Sequence, residues 1–524
     1  MSRRDSIGRR DLLGLLGAGS VVSVAGCLGG GGNGGSGGGG NGGSGGGSGS
    51  DFASAAQQLG LGENWEQRRI GAADDWPMEA RQQVPDRAQA SGWTNSGAFE
   101  SAVENDVWAP PQGWDDTPAG EVDSIQILNH GAVNMEFDPA TLATHEYFEE
   151  VTDIAIEPIE IGVDQATQRE QQVLSSQQSS PQAMNINEPL VPVFVQQGYL
   201  EATDALYPQG VWDPYIPSLQ SLVQSELGPS GGGPTTYGYP NIVEGGLGHL
   251  RPDLVQEQGI DPARFDGEWS WDLLEETMQA FEGTDLFGYA YYAGTSTYLS
   301  YSFRELLYQQ GGRMVQDDGT VTLDTPEAVR VVQKMKEWRD KGWVPEGVIT
   351  YGEGNIVDLF LSEQLAFTTG FSDFTPQALS QFGSEAYRPV RPPSANVGPN
   401  PSQAALISPN STSINPFAGT GPKLAAMLYG DLRLSYLSQW WELTYEGNAS
   451  YLDQVYTDAA NAGVVNYADV LGSSIESSVL ELFPQMAAVF QQMVNPIQRA
   501  ITGETSPQQA MSQVQSFVDD EVNQ

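Results

Sequence analysis

Histidine, cysteine and carboxylate side chains limit the chemistry open to this chain. His130, His145 and His249 are its only histidines, and they are well separated. His145 precedes Glu146, but no second histidine completes the H-E-x-x-H signature of a zinc protease. A phosphate-cradling loop needs Gly-Lys-Ser/Thr, and the sequence contains none. Gly34-Gly35-Ser36-Gly37-Gly38 has the form of a nucleophile elbow, G-x-S-x-G. It lies in a glycine-rich coil that supplies neither the strand nor the helix an elbow requires. The acids are abundant: 67 Asp and Glu offer many pairs of the kind a glycoside hydrolase uses. No cofactor and no metal site is read from the sequence.

The single cysteine, Cys27, excludes an intramolecular disulfide framework and a multi-cysteine zinc site. Its surroundings suggest another use. Arg9-Arg10 opens a twin-arginine start, residues 12–26 are apolar and small, and Val24-Ala25-Gly26-Cys27 looks like a lipobox. The apolar stretch is shorter than the ~20 residues of a membrane span. Residues 1–27 therefore read as a signal, with export by the twin-arginine route and a lipid on Cys27. Residues 28–50 are rich in Gly, Ser and Asn and form a flexible tether with a reach of roughly 25 Å. The expected location is the extracellular face of the cell membrane.

The body behind this tether is strongly acidic. With 23 Lys and Arg the net charge is −44, which excludes nucleic acid as a partner and disfavours anionic lipid surfaces. Only Lys334, Lys336, Lys341 and Lys423 are lysines. Low lysine with dispersed acids resembles proteins of extreme halophiles, where salt screens self-repulsion within about 3 Å at 1 M. Hydrophobic residues make up 39%, enough for a core.

Residues 51–120 form an N-terminal extension, irregular or part-helical, packed on the main body. From there 124–131 reads as a strand, 139–151 as a helix, 153–161 as a strand, 165–176 as a helix and 183–186 as a buried strand. That alternation predicts an α/β domain with a largely parallel sheet. Helices start at Ser270, at Thr325-Pro326 and, with a capping box, at Ser506 and Gln509. Trp271 and Trp338 fall on the apolar faces of their helices and are assigned to the core. Residues 383–421 are rich in Pro, Asn and Ser and read as a long loop or sheet crossover. Asn410-Ser411-Thr412 and Asn448-Ala449-Ser450 fit the N-glycosylation pattern, which implies exposed positions.

Several runs, taken in order, resemble the family 1 extracellular solute-binding proteins of ABC importers, the maltodextrin-binding type. Glu268-Trp269-Ser270-Trp271-Asp272-Leu273-Leu274 is similar to the family's x-TWDEL helix start. Gln310-Gly311-Gly312-Arg313 leads through Asp317-Asp318-Gly319 to Asp324-Thr325-Pro326-Glu327-Ala328, a similar G-G…d-G…d-s-p-e-A run. Lys341-Gly342-Trp343-Val344-Pro345 and Gly503-Glu504-Thr505-Ser506-Pro507 match two further stretches. At Glu363-Gln364 the family usually has a glycine.

The resemblance implies a periplasmic-binding-protein-like α/β fold: two lobes, a hinge and a ligand cleft between them. It places lobe 1 at 121–242 and lobe 2 at 243–374. The return to lobe 1 falls at 375–440 and the C-terminal helices of lobe 2 at 441–524. The first crossover lies near Ile242-Val243-Glu244-Gly245. It implies a monomeric receptor, not an enzyme, that passes a sugar or oligosaccharide to ABC permease subunits. The alternatives are a secreted glycoside hydrolase, or a receptor for a non-sugar solute such as glycerol phosphate or a peptide. Carried over from the family, the ligand contacts are Asn129, His130, Asn187, Glu188, Glu244, Tyr298, Phe371, Ser372, Asp373 and Phe490.

Overall fold

The computed structural model describes residues 49–81, 83, 97–130, 139–161, 163–204, 207, 210–216, 222–225, 235–294, 296–405 and 407–523. The signal segment, Cys27 and nearly all of the tether lie outside the described residues.

Strands β1 (Ser124–His130), β2 (Ala155–Ile161) and β3 (Ala183–Asn187) alternate with helices Pro139–Thr152 and Val163–Ser175. β1 runs parallel to both β2 and β3. Ile125, Ile127 and Leu128 of β1 are buried, which makes it the interior strand of this parallel set. β4 (Gln224–Ser225) and β5 (Thr235–Thr236) form a small separate hairpin. β6 (Tyr239–Leu250), β7 (Phe367–Phe371), β8 (Arg388–Val390) and β9 (Ile407–Ile414) complete the main sheet, ordered β2-β1-β3-β9-β6-β7 with β8 on β6.

This sheet is mixed rather than largely parallel. β9 inserts between β3 and β6 and is antiparallel to each. It arrives late in the chain, from the opposite end of the sheet, and no local pattern announces it. Its sequence, ISPNSTSI, lies in the stretch read as loop or crossover, yet every residue of it is buried. Asn410 and Asn448 are buried too, at 5% and 7% exposure, so neither glycosylation pattern marks an exposed position in the folded chain.

Two apolar cores flank the sheet. The first gathers Phe52 to Leu247 and then Ile407 to Ile475. The second gathers Leu250 to Phe367, Val390 to Ala404 and Phe483 to Val518. Among the described residues the chain crosses between cores on β6, between Ala404 and Ile407, and between Ile475 and Phe483. Residues 441–475, which the resemblance assigned to lobe 2, pack in the first core because their apolar faces meet Val243 and the helix Thr420–Arg433 there.

β6 is the clearest crossover. Tyr239 to Gly245 pair with β9, and Gly246 to Leu250 pair with β7. The register slips between Pro240 and Val243, where Pro240 has no N–H for the ladder. At Gly245 the backbone passes so close to the first core that a Cβ would meet Ile475 Cδ1 at 2.5 Å and Ala449 Cβ at 2.9 Å.

The 51–120 extension is built of short helices, Gly49–Leu59, Trp65–Arg69, Met78–Arg81 and Gly97–Glu104, and it joins the first core. Its polar anchor is Asp431 of helix Thr420–Arg433. That carboxylate accepts from Arg69 Nε at 2.6 Å, from Trp108 Nε1 at 3.0 Å and from Arg68 Nη1. Burial pushes the carboxyl up, but the Arg69 and Arg68 guanidiniums outweigh it and hold Asp431 below its ordinary value. Phe99 stacks on Trp441 at 6.1 Å beside this anchor.

Candidate functional site

The site begins on the sheet, where one face is polar. Alternate residues of a strand share a face, and so do directly paired residues of neighbouring strands. On β9 that face carries Ser408, Asn410 and Thr412. Asn185 of β3 stands opposite Thr412, Asn187 opposite Asn410, and Glu244 of β6 opposite Ser408. β1 lies with Leu128 opposite Met184, which sets Asn129 beside Asn185. Asn129, Asn185 and Asn410 are buried, and the Oδ1 atoms of Asn185 and Asn410 have no hydrogen-bond partner. Buried amide oxygens without partners are costly, about 1–3 kcal/mol each, and mark places for an incoming donor.

The opposing surface comes from helix Ser296–Gln309. Tyr298, Tyr301 and Arg304 recur every third residue, so they line one stripe of it. Tyr301 Oη lies 2.8 Å from Ser408 Oγ and joins the helix to the polar face. Tyr301 meets Phe371, the last residue of β7, edge to face at 5.5 Å. Tyr298 lies 6.3 Å from Tyr301 and 5.9 Å from Tyr292, and it packs beside Gly352, where a Cβ would sit 2.9 Å from its ring. Ser372 and Asp373 follow Phe371 in a short 3-10 turn.

Arg304 closes the arrangement. Its Nη2 donates to Glu188 Oε1 at 2.9 Å, with both side chains almost wholly buried. Glu188 directly follows β3, so this ion pair links the two lobes. The guanidinium carbon lies 5.2 Å from the Tyr301 ring and 5.1 Å from the Phe490 ring, within cation–π range.

Crowded carboxyls set the electrostatics. Burial pushes Glu188 up, and Arg304 only partly opposes this. Glu244 is raised well above its ordinary value, first by burial, then by Glu353 and Asp373; a hydrogen bond with Ser408 opposes the rise and Glu188 adds to it. Burial and then Asp373 raise Glu353, the first residue of helix Glu353–Leu361. Two of the histidines are packing residues instead. Burial pushes the imidazoles of His145 and His249 down to about 3, so both are neutral.

Of the residues named from sequence, Glu188, Glu244, Tyr298, Phe371, Asp373 and Phe490 come together around Tyr301 and Arg304. Asn129 and Asn187 lie on the polar sheet face, and Ser372 is fully buried within the turn. His130 ends β1, and its side chain lies outside the described residues. The sequence reading missed Arg304, Tyr301, Glu353, Ser408 and Asn410. The three-residue spacing of Tyr298, Tyr301 and Arg304 was a visible signal for two of them, whereas Ser408 and Asn410 lie in a run with Ser411 and Ser413 on the other face, so no alternation marks them.

A two-lobed α/β body with crossover strands and a polar, ring-lined site between the lobes defines a solute-binding protein. The family model for bacterial extracellular solute-binding proteins matches residues 134–413, and the chain belongs to this family. It is a receptor that binds a solute, not an enzyme. No curated protein matches the chain. Among solved structures it is similar to maltose-bound MalE3 of T. maritima, with a TM-score of 0.64, 19% identity, and coverage of 76% of this chain and 99% of that one. The GacH receptor of Streptomyces glaucescens, solved unliganded and with acarbose, gives 0.64 and 17%, covering 77% and 99%. Lmo0181 of Listeria monocytogenes, in complex with cycloalternan, gives 0.63 and 13%, covering 76% and 98%. At these identities the likeness is one of fold.

No helix among the described residues is long and apolar enough to cross a membrane. Among the same residues no group of three or more His, Cys, Asp or Glu side chains is set to hold a metal ion.

Proposed function

We propose that this chain is the lipid-anchored receptor of an ABC importer, which closes its lobes on a sugar or oligosaccharide and hands it to the permease. The observation that carries the reading is the contact of two unlike surfaces. The rings of Tyr298, Tyr301 and Phe371 adjoin, through the Tyr301–Ser408 hydrogen bond, a face of amides, hydroxyls and carboxyls. A pyranose needs both kinds of surface: ring faces against its C–H faces, and planar polar groups for its hydroxyls. Maltose, acarbose and cycloalternan in similar structures support the same ligand class.

In this reading Tyr298 and Phe371 stack on the sugar. Asn129, His130, Asn187, Glu188, Glu244, Ser372 and Asp373 take its hydroxyls. Phe490 gives its face to Arg304 and holds that side chain in place. The lipid on Cys27 and the 28–50 tether keep the receptor beside its permease after twin-arginine export.

A thermal-shift screen in molar salt tests the assignment, since a ligand that binds only the native state raises Tm. Sugars or oligosaccharides are expected to raise it. A response from glycerol phosphates or peptides alone would remove the sugar assignment and leave a receptor for another solute.

A further inference from the structure

Arg68 and Arg69, two cations of the N-terminal extension, share one carboxylate. Both donate to Asp431, and among the described residues no other carboxylate pairs with either guanidinium. Arg68 is satisfied beyond that pair. Its Nη2 donates to Leu61 O at 2.8 Å and its Nε to Glu63 O at 3.3 Å. Arg69 is fully buried, its Nε is taken by Asp431, and its Nη1 and Nη2 have no hydrogen-bond partner. The anchor of the extension therefore carries one surplus positive charge, in a chain whose net charge is −44.

Tyr207 stands beside this guanidinium. The centre of its ring lies 5.5 Å from the guanidinium carbon, and its Oη is buried without a partner as well. Burial pushes the phenol up, so it keeps its proton and can donate. Trp65 is a second ring near the guanidinium, at 6.0 Å, and Trp212 packs on Tyr207 at 5.0 Å. Ring faces attract a cation but bring no counter-charge, and a buried charge without one is costly.

The unpartnered atoms, Arg69 Nη1, Arg69 Nη2 and Tyr207 Oη, are all donors. They call for an acceptor that carries negative charge. One surplus positive charge matches a monovalent anion, whereas sulfate or phosphate would overcompensate it. A halide is spherical and accepts hydrogen bonds from any direction, so it needs no donor or shape in return.

We propose that a chloride ion binds at the seam between the extension and the first core, held by Arg69 Nη1 and Nη2 with Tyr207 Oη as the adjoining donor. Arg69 comes from the extension and Tyr207 from the body, so the ion fastens one to the other. It is the second negative charge that two guanidiniums require. Docking of residues 51–120 then depends on chloride itself and not on ionic strength alone. The inference is independent of which solute the cleft takes.

The test keeps the potassium concentration constant in the molar range and exchanges gluconate for chloride in steps, with the full chain. Tm and the rate of proteolysis within residues 51–120 are followed. Tm is expected to rise and cleavage to slow along a saturable curve, because chloride binds the docked state alone. Tyr207→Phe removes only a hydroxyl and should raise the half-saturating chloride concentration about tenfold. Arg69→Lys keeps a positive charge for Asp431 but loses both Nη atoms, and should abolish the saturable response. Circular dichroism checks each variant for an unchanged fold. Crystals of the parent grown in bromide should show an anomalous peak in contact with Arg69 Nη1 and Nη2. A Tm without saturable dependence on chloride, or a dependence that Arg69→Lys leaves intact, overturns the proposal. So does a bromide peak at Arg69 with no effect of chloride on stability, which would mark an adventitious ion only.

Discussion

Glu188 and Arg304 meet in a buried ion pair, Oε1 to Nη2 at 2.9 Å, and they come from different lobes. Glu188 follows the last strand of the parallel set, and Arg304 projects from helix Ser296–Gln309 of the second lobe. Parting the lobes would separate these two residues, so the pair's free energy bears on the open–closed equilibrium rather than on either lobe's own stability.

Arg304→Met should therefore open the ligand-free protein. Glu188 loses its cation, and the closed state then buries a carboxyl with no charge partner, whereas the open state hydrates it. Small-angle scattering should show a larger radius of gyration. Ligand affinity should fall by roughly 10–100-fold, because less of the competent closed form is populated. A scattering curve and affinity equal to those of the parent would sink this account of the pair.

Tyr298→Ala should weaken sugar binding by about tenfold, or ~1.4 kcal/mol, through loss of one ring face. Tyr298 is half-buried at the ring wall, so the global Tm should change by little. A large loss of Tm with unaltered affinity would make the residue structural instead.

Asp431→Asn should detach the extension. Arg69 is fully buried and would lose its charge partner, a change that costs about 3–5 kcal/mol in comparable buried pairs. The pH dependence follows from the depressed carboxyl of Asp431. The folded state binds its proton less readily than the unfolded chain does. The stabilisation is fully present above the ordinary carboxyl value near 4, and is lost as pH falls through the folded value. Limited proteolysis within residues 51–120, with urea melts at pH 3 to 7, measures both effects.

Glu170 predicts the opposite slope. It is buried in helix Val163–Ser175, and burial pushes its carboxyl up to about 8. Between the ordinary value near 4 and about 8 the folded chain holds a proton that the unfolded chain has released, so this group's contribution to stability declines as pH rises through that window. Glu170→Gln should flatten the decline and raise Tm at pH 8. A Tm profile between pH 5 and 9 that is unchanged by the substitution would contradict it.

Local features of this protein were legible without any structure. The alternation that builds β1, β2 and β3 shows in the apolar periodicity of 124–131 and 153–161. Thr325 Oγ1 accepts from Ala328 N at 3.2 Å to cap helix Pro326–Asp340, and Ser506 forms the expected capping box with Gln509. Trp271 and Trp338 are fully buried, as their helical spacing required. Ser270 precedes its helix as expected but makes no side-chain capping hydrogen bond; Trp271 N donates instead to Ser394 O at 2.9 Å.

By itself the sequence determined what depends on neighbours a few residues apart: caps, amphipathic faces, the α/β alternation and the family runs. Tertiary structure alone decided that polar ISPNSTSI becomes the central strand β9, and that its face meets Asn185, Asn187 and Glu244. It alone brought Arg304 to Glu188, 116 positions away, and Asp431 to Arg69, 362 positions away. Such pairs leave no periodic trace along the chain, because their spacing is set by the packing of whole lobes rather than by the turn of one helix or the pleat of one strand.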